Sequence, residues 1–355
     1  MLPSSSSFDG AVRLEQLCTE DAALNSEPKP LRTSSSYELL YMATRPLRQA
    51  ALRARQRNAH YFEVPKCIRR PYILTYYRTN YDLYSCLRSF VELHNESLNV
   101  WSHVMGVIIF IAIGHHVASA GLPPTAAALE RWPLYVFIAS ALYCLSASAI
   151  YHLIGTANVR WHDRLMSWDY VGIVGLIVGS ATPVAWYSFG GQHHLERSLY
   201  LAVITLLGAI VIIGSLNGAL GRASDAVRIA LFLGLAGSGV MALLHAAVVH
   251  DFAPRNVDLI IGVVKMGLTY ILGIGFYASK FPESVQPRSF DRFGASHQLW
   301  HACVLIAAIC HFRTVFTLWR ETALLAGSLR SSALAQQQLG QVAAAMPSVA
   351  GSVEL

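Results

Sequence analysis

Seven stretches of about 20 mostly apolar residues follow one another along the chain, separated by short polar segments. A helix of this length can cross the hydrocarbon core of a bilayer. The expected spans are residues 100–120, 133–154, 166–188, 197–216, 225–249, 256–279 and 295–318. Only 14% of the residues are charged, against about 25% in a soluble domain. The pattern predicts an all-α fold, a bundle of seven transmembrane helices in an integral, multi-pass membrane protein.

Three segments lie outside the spans. Residues 1–60 are rich in Ser, Ala and Arg, have no apolar period that could bury a core, and are expected to be largely disordered. Residues 61–99 combine aromatic residues, Arg and Pro, which favours an ordered juxtamembrane segment at the membrane surface. Residues 319–355 form a low-complexity tail. The seven-helix domain is therefore predicted over 100–318.

Basic residues predict the orientation of the bundle. The segment before the first span is rich in Lys and Arg, and short cytoplasmic loops carry an excess of these residues. If this segment is cytoplasmic, the loops on its side contain Arg160, Arg164, Arg222, Lys280, Arg288 and Arg292, and the opposite loops contain Arg131, Arg197 and Arg255. We therefore expect a cytoplasmic N-terminus and a C-terminus on the opposite face. G-protein-coupled receptors have the reverse orientation.

Two histidines open the last apolar stretch. His297 and His301 are four residues apart, so in a helix they share one face at about 5–6 Å. Ionisable side chains are costly at membrane depth and need a partner or a function. A zinc ion binds imidazole nitrogens at about 2.0–2.1 Å, so one helical turn can supply two ligands. The pair alone is a weak signal, because histidines at this spacing also occur for packing.

Other polar residues are expected at the same depth. His152 ends the second span and Asp169 begins the third, both at the face where the last span starts. Ser148 lies one turn before His152 on the same helix face. These residues converge either on a shared metal ion or on separate hydrogen bonds. The remaining histidines, among them His94, His103 and a loop residue His162, are expected to be surface or packing residues. Asn95, Glu96 and Asn99 are expected to brace the start of the first span.

The chain resembles a known family in an ordered series of motifs. These are "ELHNESLNVWSHVMG" at 92–106, "SASAIYH" at 146–152, "WDYVGI" at 168–173 and "SHQLWH" at 296–301. They are similar to motifs of the progestin and adipoQ receptor family, which includes relatives of haemolysin III and the adiponectin receptors. The resemblance extends over about residues 63–318.

The resemblance implies a zinc site. In that family the corresponding residues form such a site near the cytoplasmic face, so His152, His297 and His301 would be the metal ligands. Asp169 and Ser148 would hold a water molecule at the remaining coordination position. An open fourth position is typical of catalytic rather than structural zinc.

Three functions are compatible with these residues. Some members of the family look like ceramidases, so the first is zinc-dependent hydrolysis of a lipid amide, with Asp169 as general base and then acid and Ser148 orienting the water. The second is a receptor or sensor in which zinc is structural. The third, a transporter or channel, lacks the expected paired broken helices. The expected partner is a membrane lipid, such as ceramide or a free fatty acid, and no nucleic acid. The membrane in which the protein resides stays open.

Overall fold

The computed structural model describes residues 59–120, 131–189, 193–250 and 254–345. Within these ranges the chain is helical, and the only extended pairing is a bridge between Ala59 and Tyr77. The long helices, named α1 to α7, are Ser97–Ser119, Trp132–Ile154, Val159–Phe189, His194–Leu216, Asp225–Val249, Pro254–Ser279 and Ser296–Ala345. All 7 are long and apolar enough to cross a membrane. The predicted seven-helix membrane bundle is confirmed.

The orientation of the termini stays a prediction. So do the predicted segment boundaries, and residues 1–58 of the segment expected to be disordered lie outside the described ranges. Five of the seven helices begin and end within about three residues of their predicted bounds, well inside the usual uncertainty of helix ends.

Two helices are longer than the apolar stretches that predicted them. Helix α3 begins at Val159, so the prediction that His162 lies in a loop is wrong. Helix α7 continues to Ala345, through a tail rich in Ala, Leu and Gln, which are good helix formers. An apolar run shows only where a helix crosses lipid. It therefore misses helical turns that continue beyond the membrane.

The helices pack mainly with their neighbours along the chain. Helix α2 packs between α1 and α3, α3 also contacts α4 and α5, and α7 packs against α6 and α1. A large apolar core joins α1, α2, α3 and α7 and includes Phe110, Phe137, Leu145, Phe312 and Trp319. Many large apolar side chains on the outer faces of α4, α5 and α6 are exposed, as expected for surfaces that face lipid.

The juxtamembrane segment is fastened to one end of the bundle. Arg78 is buried, and its guanidinium donates to the carbonyl oxygens of His152 at 2.7 Å and Leu153 at 2.7 Å. This contact satisfies carbonyl groups at the C-terminal end of α2 that have no helical partner. Asp291, just before α7, accepts hydrogen bonds from the backbone N–H groups of Leu74 at 3.1 Å and Thr75 at 2.8 Å. The segment thus connects the ends of α2 and α7.

Helices α2 and α3 approach closely because Gly172 has no side chain. A Cβ atom added at Gly172 would lie 2.8 Å from the Cα atom of Cys144 on α2. That distance is too short for real carbon atoms, and the obstacle is backbone that cannot rotate away. Small residues at such contacts are typical of helix packing in membranes. The close approach places Asp169, one turn before Gly172, next to α2.

We expect Gly172→Ala to destabilise the protein by about 1–3 kcal/mol, because the added methyl group forces α2 and α3 apart. The matched control is Gly175→Ala on the same helix, where an added Cβ meets no atom within 4 Å. Thermal unfolding of both variants in detergent would measure the difference. Equal melting temperatures for the two variants would contradict the close contact.

Candidate metal centre

Three histidine side chains meet at the end of the bundle that carries the juxtamembrane segment. One ring nitrogen from each of His152, His297 and His301 lies within 4.8 Å of the others, and this is the one such group of His, Cys, Asp or Glu in the described ranges. Nε2 of His152 is 3.4 Å from Nε2 of His297. The 3.4 Å separation is that expected for two nitrogens of one tetrahedral site, each about 2.0–2.1 Å from the ion. Separations of up to 4.8 Å are wider than the roughly 4.2 Å that two such bonds can span, so the rings would have to close slightly around an ion. The predicted convergence of the three residues is therefore confirmed.

The second nitrogen of His152 faces a carboxylate. Nδ1 of His152 lies 2.7 Å from Oε2 of Glu96, and both residues are buried. Burial opposes ionisation of Glu96, but the Arg70 guanidinium, whose Nε is 3.3 Å from Oε1, and the His152 imidazole hold the pKa of the Glu96 carboxyl well below its usual range. An ionised carboxylate only accepts hydrogen bonds, so Nδ1 of His152 carries the proton and Nε2 has a free lone pair.

The third histidine also presents a nitrogen without a protein partner. Nδ1 of His301 is buried and makes no hydrogen bond among the described residues. The ring of His301 stacks on that of His103, with 4.0 Å between their centroids. A buried polar atom without a partner is costly, and a bound ion is one way to satisfy it. The free nitrogens and their spacing therefore fit a metal ion.

Asp169 and Ser148 lie close to His152. The Ser148 hydroxyl and the Asp169 carboxylate interact by hydrogen bonding, and Asp169 also interacts electrostatically with His152. Ser148 is buried, whereas Asp169 is half-buried because it faces a cavity. Helix geometry explains the arrangement, since Ser148 and His152 are one turn apart on α2 and α3 packs directly against that helix. The hydroxyl and the carboxylate that the sequence singled out are thus adjacent.

A cavity of about 810 Å³ extends from these residues into the bundle. Its polar end is lined by Arg70, Glu96, Ser148, Asp169, His297 and His301. Its apolar wall comes from α3, α5 and α6 and includes Ile173, Val184, Phe232, Val240 and Ile271. Beyond Asp169 the lining continues along α3 as far as Val184, which corresponds to about 22 Å of helix. The cavity therefore combines a long apolar chamber with a polar end, the shape expected for a lipid chain.

Two further residues, both on α1 or at its start, take part in this site. Glu96 was expected only to brace the start of the first span, but it contacts His152 as well as its own helix. His103 was expected to be a surface or packing residue, and it is a buried packing residue that stacks on His301. The spacing of Glu96 and His103, seven residues apart, places both on one helix face and was the available signal.

The fold and the histidine cluster define a heptahelical membrane protein that can hold a metal ion inside the bundle. Comparisons with known proteins give the family. The sequence matches the family described as haemolysin-III related over residues 91–312. The chain belongs to this family, which confirms the resemblance to the progestin and adipoQ receptors.

Several relatives share most of the chain. The protein is 35% identical over 272 residues to Heptahelical transmembrane protein 1 of Arabidopsis thaliana. The matched region covers 74% of this chain and 81% of the relative. It is 28% identical over 329 residues to Heptahelical transmembrane protein 4 of the same plant, with 70% and 85% covered. It is 30% identical over 234 residues to the Adiponectin receptor protein of Drosophila melanogaster, with 65% and 52% covered. The protein is thus an adiponectin-receptor-like member of its family.

We expect the purified full-length protein to bind one zinc or cobalt ion per chain, and His301→Ala to weaken that binding by more than about 100-fold. Bound cobalt reports a tetrahedral site by its visible absorption, and competition with a chelator gives the affinity. The control is His115→Ala, which removes an exposed histidine from α1. Because a ligand stabilises the state that binds it, a chelator should lower the melting temperature of wild type but not of His301→Ala. Equal metal binding by the two variants would rule out this centre.

Proposed function

We propose that this protein is a zinc-dependent hydrolase that cleaves the amide bond of a membrane lipid, with ceramide as the substrate class. One observation carries the proposal: Asp169, which hydrogen-bonds with Ser148 and interacts electrostatically with His152, lines the polar end of the same long apolar cavity as His297 and His301. The cavity suits an acyl chain. Its polar end has a carboxylate and a hydroxyl where the amide group of such a lipid would lie.

The residues have distinct roles in this reaction. His152, His297 and His301 would hold the ion, which when bound supplies a Lewis acid and activates water for attack at neutral pH. Ser148 orients the attacking water by hydrogen bonding. Asp169 accepts a proton from the water as general base and delivers it to the leaving nitrogen as general acid. The C–N bond breaks as the new C–O bond is completed, so that water and amide give a fatty acid and a free amine.

The apolar wall of the cavity would bind the acyl chain. Burying apolar surface stabilises a complex by about 25 cal/mol per Å², so a long chain can supply much of the binding free energy. Moving along α3 from Asp169 away from the polar end, the helix lines the cavity with Ile173 and Val184. A chain in this chamber places its carbonyl group next to Asp169. Lipids with short acyl chains would bind more weakly for the same reason.

A second candidate function is a receptor or sensor in which zinc is only structural. It is favoured by the placement of the ligands, because an ion held by His152 on α2 and by His297 and His301 on α7 would fasten two helices that lie far apart in the sequence. It is also consistent with the name of the Drosophila relative, an adiponectin receptor protein. In that case lipid hydrolysis is absent and removal of the ion costs only stability.

We expect Asp169→Asn to abolish fatty-acid release while leaving metal content and melting temperature close to those of wild type. General acid–base catalysis contributes about 10²–10⁴-fold, so the rate on ceramide in lipid nanodiscs should fall by at least about 100-fold. Mass spectrometry of the released fatty acid gives the rate, and His115→Ala is the control. Wild type that binds zinc but releases no fatty acid from any ceramide would favour the receptor function.

We expect Gly237→Leu to reduce the hydrolysis of long-chain ceramides more than that of short-chain ceramides. Gly237 lines the cavity on α5, about 18 Å of helix beyond Asp225 at the polar end, and a Cβ added there meets no atom within 4 Å. A leucine side chain would therefore start from open space and occupy part of the chamber. The control is Gly234→Leu, since Gly234 is exposed on the outer face and does not line the cavity. Chain-length profiles that match for the two variants would contradict this binding mode.

A further inference from the structure

We propose that Glu96 is the positioning residue of the metal centre, and that it sets the tautomer and the ring orientation of His152. The proposal rests on the proposed metal site and not on lipid hydrolysis. Glu96 lies at the start of α1, and this helix provides none of the three candidate ligands. It would act through its hydrogen bond to His152 and not as a ligand of the ion.

The hydrogen bond between Glu96 and His152 determines which nitrogen is available. Oε2 of Glu96 accepts from Nδ1 of His152 at 2.7 Å, so the proton resides on Nδ1 and the lone pair on Nε2. Nε2 is the nitrogen that lies 3.4 Å from Nε2 of His297. A carboxylate behind a ligand histidine also raises the basicity of the imidazole, which strengthens its bond to a metal ion. Without Glu96, both tautomers and a rotated ring become accessible to His152.

Glu96 is itself held in place. Its Oε1 accepts from Nε of Arg70 at 3.3 Å, and its Oε2 accepts from the side-chain amide of Asn99. Arg70 is fixed in turn, because its backbone N–H donates to the Tyr77 hydroxyl at 2.8 Å. The carboxylate is buried, and these partners compensate for the loss of water. The orientation of His152 is therefore set by a connected chain of contacts that begins in the juxtamembrane segment.

The other two candidate ligands are supported differently. Nδ1 of His301 has no hydrogen-bond partner in the part of the chain that the structure describes, and its ring stacks on His103 and interacts with the backbone of Asn99. For His297, the structure shows Nε2 at 3.4 Å from Nε2 of His152. Among the three, His152 is thus the ligand with a carboxylate partner. Loss of Glu96 should weaken metal binding without removing a ligand.

The experiment compares Glu96→Ala and Glu96→Gln in the full-length protein, with zinc and cobalt affinities measured by chelator competition in detergent. We expect Glu96→Ala to weaken binding by about 10–100-fold and to alter the visible spectrum of bound cobalt. Glu96→Gln should give an intermediate affinity, because its side-chain oxygen still accepts from Nδ1 but carries no charge. That partial rescue separates positioning from a general loss of folding, since the glutamine fills the same space.

The control variant is Asp82→Ala, which removes the hydrogen bond of 2.8 Å that the exposed Asp82 side chain accepts from the backbone N–H of Ser85 in the same juxtamembrane segment. It should lower the melting temperature with and without metal and leave the affinity unchanged. An affinity of Glu96→Ala within twofold of wild type would overturn the positioning role. Wild type that binds neither metal would overturn both this role and the metal centre, whereas wild type that binds metal but never hydrolyses ceramide would overturn only the hydrolase.

Discussion

The structure depends on the meeting of imidazoles from α2 and α7 inside an otherwise apolar bundle. Polar side chains at membrane depth are costly because no water is available to satisfy them. Here the cost is offset by a connected set of partners: Glu96 for His152, Arg70 for Glu96, and the stacked ring of His103 for His301. One ring nitrogen of each of the three histidines lies within 4.8 Å of the others, as in a site that could hold a cation.

The polar cluster is positioned by contacts at its edges as much as by the helices that carry it. Arg78 holds the C-terminal end of α2 through the carbonyl of His152 itself, and Asp291 holds the chain that leads into α7. On the other side, the bare backbone at Gly172 lets α3 approach α2, so that Asp169 reaches Ser148. The juxtamembrane segment and the close α2–α3 contact therefore act together to determine the distances between groups that are remote in sequence.

Much of this arrangement could be predicted from the sequence, and the exceptions have physical causes. Apolar runs locate the spans. Because successive spans cross the membrane in opposite directions, the sequence also places His152, Asp169 and His297 at the same membrane level. The same criterion could not detect the polar first turns of α3, which contain His162, or the continuation of α7 beyond residue 318, because those turns do not cross lipid. The contact between Glu96 and His152 depends on the rotation of α1 about its axis. The cavity arises from the spacing of α3, α5 and α6, and no single stretch of sequence encodes that spacing.

The length of α7 has a mechanical consequence. This helix runs unbroken for 50 residues, about 75 Å, whereas a bilayer core is about 30 Å thick. His297 and His301 therefore belong to one stiff rod whose opposite end stands well clear of the lipid. Turning or tilting that outer shaft moves both imidazoles as a unit, which changes their separation from His152 on α2 while keeping their separation from each other. A displacement of the outer part of α7 would therefore act directly on the candidate metal centre.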